Sequence, residues 1–527
     1  MPDISQHMKK LILLICIIFL FKDSNSQPTF QKVYGDLIGG ASVKAAGFMT
    51  MDGGFYMYAS SNFSSAGSAD YYTMRVDNAG NVLWTKIYGG PQFDPVYAGT
   101  QSLNGSFLLA GTSVSFGSLA WIVNADPNGN LKWSRTFSSG SVDHIFAAAP
   151  AGDMGFIIAG SAEYPSVGNK QSWIFKIDSA GDLQWSTAVG GTLKDEAYGI
   201  MQTNDGGYLA TGTSSYSPAI KPDALLIKLD ANGNLLWANN YGDTLTQRLF
   251  HTIQTFDGGF LSVGDSYFPG SDSTDALVIK MNSSGNPEWT ALVGTGGHEL
   301  ATSVVQTSDS GYVITGNNFS SGIQFPDVML FKLDKTGNLL WSKVYGSTGS
   351  DEGTSVSVTP DGGLAIIGST TGFSIGDKGY IIKTNAQGES GCNETSLNMT
   401  ETFITIPVIT LIATVDTGCV SNSVIPVLNS AGSGNTLCST NSVNDKDALQ
   451  LKVYPNPSEG EITIELPYIL NDGVIEMYSV TGQKVYEKRF ENTSHVQIRE
   501  VIFKNGFYLV KVVSATGVYT AKVIIGM

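Results

Sequence analysis

A tryptophan recurs at Trp84, Trp133, Trp185, Trp237, Trp289 and Trp341, with one spacing of 49 residues and four of 52. A fixed period near fifty residues is the mark of an array of like supersecondary units, each too small to bury its own apolar face. The punctuation keeps the same schedule. Asp52, Asp153, Asp205, Asp257, Asp309 and Asp361 each open an Asp-Gly-Gly turn or a near relative, and Asn104-Gly105 stands in for it in the second copy. A glycine four residues before each Trp recurs from Gly80 to Gly337, and Gly388 repeats it in a last copy without Trp. That makes seven units. The cleanest copy has apolar segments at 197–203, 208–213, 224–229 and 235–241, divided by Asp205-Gly206-Gly207 and by Asp230-Ala231-Asn232-Gly233-Asn234. Asp starts such turns through its side chain and Gly accepts positive φ. Four short strands with tight turns make an antiparallel blade.

The two ends of the array fit each other. After Gly388 the last copy runs into Cys392 with no Trp strand, whereas Phe30-Gln31-Lys32-Val33-Tyr34-Gly35 precedes the first copy as an orphan. That orphan matches Trp84-Thr85-Lys86-Ile87-Tyr88-Gly89, with Phe for Trp. A strand from the N-terminus that completes the last unit closes the array into a ring without open edges. The expected fold is all-β: a seven-bladed β-propeller of about 52-residue four-stranded blades over 27–391, plus a small C-terminal β-sandwich. The Trp and Tyr residues are expected as core between blades. The repeats resemble a family of secreted propellers carrying Asp-Gly-Gly-Tyr/Phe and Asp-x-x-Gly-Asn-x-x-Trp motifs, most members of which have no assigned activity.

Residues 1–26 have the pattern of a secretory signal peptide. Lys9 and Lys10 precede an apolar run from Leu11 to Phe21, and Ser24 and Ser26 are small residues before a cut at Gln27. The run is shorter than the ~20 residues that span a bilayer. A net charge of −16 repels phosphate backbones, so nucleic acid is not an expected partner. Beyond the leader, which holds Cys16, the cysteines are Cys392, Cys419 and Cys438. One disulfide and one free thiol fit that count, and any pairing stays open. All three lie in 392–447, a Ser/Thr-rich stretch that breaks the period and is expected as a linker with some strand content.

Residues 448–527 read as a second β domain. Tyr454-Pro455-Asn456-Pro457 opens it, Val480-Thr481-Gly482-Gln483 makes a hairpin turn, and six strand-like segments follow one another. Tyr454, Pro455, Asn456, Pro457, then Gly482, then Gly506, Tyr508 and Lys511, then Lys522 resemble, in order and spacing, the C-terminal sorting domain (type A) of type IX secretion substrates, found in Bacteroidota. The resemblance implies passage through the periplasm and across the outer membrane, with the type IX machinery as partner. It also implies that the body is afterwards released or linked to surface lipopolysaccharide. The expected address is secreted or outer cell surface.

No sequence constellation announces an enzyme. His144, His251, His298 and His495 form no zinc spacing, and no phosphate loop or nucleophile elbow is present. Acids stand ten residues after five of the Trp: Asp94, Asp143, Asp195, Glu299 and Asp351. If the first strand of each blade lines a channel, these make an acidic ring able to hold a divalent cation such as Ca2+. The competing reading is that each acid caps its own loop. Two functions follow: a non-enzymatic binding or adhesion propeller for a glycan or protein ligand, or a polysaccharide hydrolase or lyase. A catalytic site would break the symmetry of the array, and Asp143-His144, His251 and His298-Glu299 are the breaks visible in the sequence.

Overall fold

The computed structural model describes residues 29–35, 45–61, 69–139, 143–164, 169–215, 221–242, 245–267, 273–319, 325–373, 377–411, 413–416, 419–423, 427–429, 434–439, 451–455, 461–479, 484–498, 506–514 and 517–525. The leader 1–26 and the motif residues Asn456, Pro457 and Gly482 lie outside them. Among the described residues every regular element is a strand. The chain divides into two units, residues 1–441 and 442–527.

In the first unit the cleanest repeat is an antiparallel meander of Asp195–Gln202, Tyr208–Ser214, Asp223–Leu229 and Leu235–Tyr241. Its two middle strands are buried along their whole length, which is why Leu225-Leu226-Ile227 reads as a continuous apolar run. The same four-stranded pattern recurs along the array. Its inner strands are Ala46–Met49, Val96–Gln101, Asp143–Pro150, Asp195–Gln202, Gln247–Gln254, His298–Gln306 and Asp351–Val358. Each inner strand packs against the next, and the last packs against the first. There Ser355 Oγ donates to the Gly47 carbonyl at 2.6 Å. The orphan strand Phe30–Tyr34 pairs with Lys378–Thr384, from Phe30 opposite Lys383 to Tyr34 opposite Gly379. The N-terminal strand therefore completes the last sheet. Two neighbouring meanders share one sheet through the Thr274–His298 bridge.

The shared period of Trp and Gly has a steric cause. Gly233 holds φ +81°, and a Cβ there would meet Trp185 Cε3 at 2.5 Å. From the second unit on, this turn thus lies on the indole of the unit before it, and only Gly provides both the conformation and the space. The Tyr that ends the outer strand fastens the same turn. Tyr88 Oη donates to the Gly129 carbonyl at 2.7 Å and Tyr241 Oη to Gly285 at 2.6 Å. At the closure, Tyr34 Oη donates to Gly80 at 3.0 Å. The Trp rings themselves are half-buried at the outer margin rather than sealed in the core. The largest fully buried rings include Trp121, Trp173, Tyr56 and Tyr71.

Residues 394–439 differ from the expected linker. They form a belt that adds a fifth, outermost strand to one meander after another, against the direction of the chain. Glu394–Ser396 pairs with Leu339–Tyr345, Thr400–Ile404 with Pro287–Gly294, and Val408–Thr410 with Leu235–Tyr241. Thr414–Asp416 follows on Leu183–Gly190, Val420–Ser423 on Leu131–Ser138, and Val427–Asn429 on Val82–Gly89. The belt ends on the remaining outer strand, with Gly434–Ser439 on the closing strand Phe30–Tyr34. Pieces of three to six residues are too short for any periodicity to register, so a Ser/Thr-rich composition reads as a spacer.

The second unit is one sheet of five strands rather than a two-layer sandwich: Lys452–Tyr454, Ile462–Ser479, Lys484–Ile498, Gly506–Ser514 and Gly517–Ile525. Ile462–Ser479 is one continuous strand, with a register shift against Lys484–Ile498 between Glu465 and Leu470. One end of that strand pairs with Lys452–Tyr454 and the other with Gly506–Ser514. Ile464, Ile475, Met477, Val496, Val510, Val512 and Val523 form its core.

Candidate functional site

The five acids of the expected ring are fully buried. Each accepts the backbone N–H of the residue four before it. The pairs are Gly90 to Asp94 (2.8 Å), Ser139 to Asp143 (3.0 Å), Gly191 to Asp195 (2.8 Å), Thr295 to Glu299 (3.2 Å) and Ser347 to Asp351 (2.6 Å). Ser390 and Glu394 repeat the pattern at 2.6 Å beyond the array. These acids tie down the connection from one outer strand to the next inner strand. Among the described residues, no three His, Cys, Asp or Glu stand together as a metal site.

Burial raises Asp195 to about 6 despite its bonds from Ser214 and Gly191. An unfolded Asp titrates near ~4. The stability tied to this group is therefore complete below pH ~4 and is lost as the pH rises through about 6. Asp195→Asn keeps an acceptor for Gly191. It should melt with the wild type at pH 4 and several degrees above it at pH 7.5, and neither protein should respond to Ca2+ or chelator. A Ca2+-dependent rise in the wild type that Asp195→Asn removes would instead support a cation-binding ring.

A different set of inner-strand residues is displayed. In six inner strands the pairing with the second strand slips by one residue, leaving out Tyr97, Phe146, Tyr198, Phe250, Thr302 and Thr354 in turn. A β-bulge re-aims the residue it leaves unpaired. Four successive bulges carry rings, and the rings touch in series. Their centroids lie 6.3 Å apart for Tyr97–Phe146, 5.3 Å for Phe146–Tyr198 and 5.7 Å for Tyr198–Phe250. Tyr97 is 37% exposed, and the other three are half-buried. The next two bulges carry Thr, whose hydroxyls turn back to backbone carbonyls of Gly353 and Ile367. The array is therefore lopsided: an aromatic arc over four units, and threonine on the next two.

Two residues earlier on three of these strands stand His144, Glu196 and Arg248, on the same strand face as the bulged rings would occupy without the slip. The His144 ring lies nearly parallel to Phe146 at 6.1 Å. The Arg248 guanidinium lies 5.5 Å above Phe250. Tyr198 Oη donates to Glu196 Oε2 at 2.6 Å, and Lys194 and Lys170 pair with the same carboxylate at 2.9 and 3.6 Å. Arg248 makes two bonds to Asp265. The carboxylates of Glu196 and Asp265 are nearly sealed, whereas Lys194 and Arg248 are 57% and 42% exposed. The anions lie beneath and the cations outermost, with the exposed Glu163 across the ladder from Lys170.

Burial, then the charge of Lys170, lowers the His144 pKa, so the ring is neutral at pH 7. Burial acts to raise Glu196, but bonds from Tyr198 and Lys194 hold it below its ordinary value. Burial and the bond to Glu196 both raise Tyr198. Tyr198 is thus a donor with its proton held, not a base. The arrangement offers stacking faces with a rim of N–H and O–H donors.

Of the other symmetry breaks, His251 is half-buried, desolvation lowers its pKa to about 4, and its Nδ1 accepts the Val304 N–H at 3.2 Å. His298 is exposed, at the bridge that joins two meanders. The arc was present in the sequence as the column thirteen residues after each Trp, and the expected acids occupy the column at ten.

In the second unit the motif residues spread over the sheet rather than into a pocket. Tyr454 ends a strand and is exposed with Pro455, and Gly506, Tyr508 and Lys511 share one strand. Lys511 pairs with Glu476 at 3.4 Å. Lys522 stands opposite Leu509 on the last strand.

Residues 452–526 match the family described as the secretion system C-terminal sorting domain. No curated protein matches the chain. Among solved structures, a protein of unknown function from Dyadobacter fermentans aligns with a TM-score of 0.33 at 7% identity, over 68% of this chain and 99% of that one. The extracellular domain of a putative one-component system of B. thetaiotaomicron aligns with a TM-score of 0.14 at 7% identity, over 94% and 98%. Likenesses this slight carry no argument about function.

Proposed function

We propose that this chain, which ends in a type IX secretion sorting domain at 452–526, carries a non-enzymatic saccharide-binding protein out of the cell. The sorting domain marks the chain for export by the type IX machinery to the cell surface or the extracellular space. The leader-like residues 1–26 would supply the first step into the periplasm, and release or attachment to surface lipopolysaccharide would follow export. The first unit is read as a seven-bladed β-propeller over 27–391, closed by its N-terminal strand. What supports this is the cyclic packing of the inner strands and the pairing of Phe30–Tyr34 with the last sheet.

The observation that carries the binding reading is the run of four touching rings displayed by successive bulges. A sugar ring has an apolar C–H face and a polar edge. An aromatic wall with Lys194, Arg248 and the neutral His144 near its rim suits both. Purified protein titrated calorimetrically against a panel of polysaccharides should bind at least one. Tyr198→Ala with Phe146→Ala should weaken that binding on the order of 100-fold, at roughly 1–1.5 kcal/mol per ring. Thr302→Ala should leave it unchanged. Binding indifferent to both rings would move the site elsewhere. The hydrolase or lyase alternative would show as release of reducing ends or of unsaturated products, abolished in Glu196→Gln; such turnover would replace the non-enzymatic reading.

A further inference from the structure

Cys392 is disulfide-bonded, and Cys419 keeps a free thiol. We propose that the partner of Cys392 is Cys438, and that this bond locks the belt into a covalent hoop around the first unit. The backbone brings both positions to one residue of the closing strand. Gln31 stands opposite Cys438 in the ladder between Phe30–Tyr34 and Gly434–Ser439. The side-chain amide of the same Gln31 donates to the Cys392 carbonyl and, at 2.8 Å, to Ser390 Oγ. The belt leaves this place at Cys392, pairs with six meanders in succession, and returns to it at Cys438.

Cys419 stands far along that path, one residue before the strand that pairs with Leu131–Ser138. It is half-buried against the apolar core there. Burial pushes its thiol up to about 12. A thiol without thiolate character is a poor competitor in exchange. The bond forms as the Cys392 and Cys438 thiols lose two protons and two electrons to a disulfide donor of the oxidising periplasm, by thiol–disulfide exchange. The sulfur–sulfur bond then holds the two ends of the belt together at the strand that also closes the array. A belt fastened this way cannot peel from either end. Cleavage between residue 439 and the sorting domain would leave it intact.

No Lys or Arg lies between Lys383 and Lys446, so trypsin leaves all three cysteines in one peptide. Unreduced full-length protein should instead be alkylated and digested with Asp-N and chymotrypsin, which cut at Asp416 and Leu428. The expected product links the Cys392 peptide to the Cys438 peptide, with Cys419 alkylated only after denaturation. A Cys392–Cys419 link, or two unlinked peptides, overturns the proposal. Thermal melts give a second reading that needs no variant to fold perfectly. Reductant should lower the wild-type midpoint on the order of 10 °C. Cys392→Ser, Cys438→Ser and the double variant should each show that same lowered midpoint and no further response to reductant, whereas Cys419→Ser should behave as wild type. Additive losses, or a reductant effect that survives in the double variant, count against the hoop.

Discussion

Removing residues 452–527 should abolish the appearance of this protein outside the cell and leave a folded first unit behind the outer membrane. The two halves of that expectation rest on different observations. The deleted segment covers the whole match to the sorting-domain family. It also lies within the second compact unit, which has its own apolar core of Ile464, Ile475, Val510, Val512 and their neighbours. The belt ends at Ser439, before the deletion begins. Fractionation with an antibody against the first unit checks both halves. Full-length protein should be found on cells or in the medium, and the truncated form only in the periplasm, with an unchanged melting profile once purified. Truncated protein in the medium would sink the export assignment. Truncated protein that aggregates would show that the second unit supports the first.

Deleting residues 29–35 should cost the first unit its cooperative fold. This strand is paired on both edges, with Lys378–Thr384 and with Gly434–Ser439. Phe30, Val33 and Tyr34 are buried at 3%, 5% and 0% exposure. At roughly 1.5–3 kcal/mol per buried side chain, those three alone contribute about 6 kcal/mol. That is comparable with the whole net stability of an ordinary domain, about 5–15 kcal/mol. Gln31 adds a buried junction, accepting from Tyr380 Oη and donating to Ser390 Oγ and the Cys392 carbonyl. Gln31→Leu should therefore cost about 1–3 kcal/mol by leaving buried partners unsatisfied. Circular dichroism melts and limited proteolysis should show a broad, early transition in the deletion variant. A synthetic peptide of residues 27–36 should restore the sharp one in trans. A deletion variant that melts within a few degrees of wild type would mean the array does not depend on its closing strand.

The strands of the array were legible because six Trp recur at nearly one spacing, four of the five intervals being 52 residues. Trp and the Gly four before it constrain one another: from the second unit on, each Gly lies on the previous unit's Trp, so neither can drift without the other. The acids ten residues after Trp were legible as a set for the same reason, but their direction was not. A repeat shows that a side chain has a fixed role without showing which way it points. The bulge after Ala197 decides that. It leaves Asp195 turned inward as a cap and throws Tyr198 outward, and a one-residue slip leaves no trace in a hydrophobic pattern. The belt was illegible for the opposite reason. Its strands are set by the edges they meet, not by any preference of their own, so Val408–Thr410 and Val427–Asn429 look like ordinary spacer. In the second unit, Asn471-Asp472-Gly473 carries a turn signal that the continuous strand Ile462–Ser479 overrides by changing partners.

Tandem arrays usually gain or lose whole copies with little penalty, because each copy touches only its neighbours. This one carries its own gauge. The belt has seven short strands starting at residues 394, 400, 408, 414, 420, 427 and 434, each assigned to a different outer strand. Duplicating one 52-residue copy would leave an outer strand unmatched unless six to eight residues were inserted far away in the belt at the same time. Copy number in this lineage should therefore change only in paired events. Relatives with a different number of Trp repeats should differ in belt length by the corresponding step.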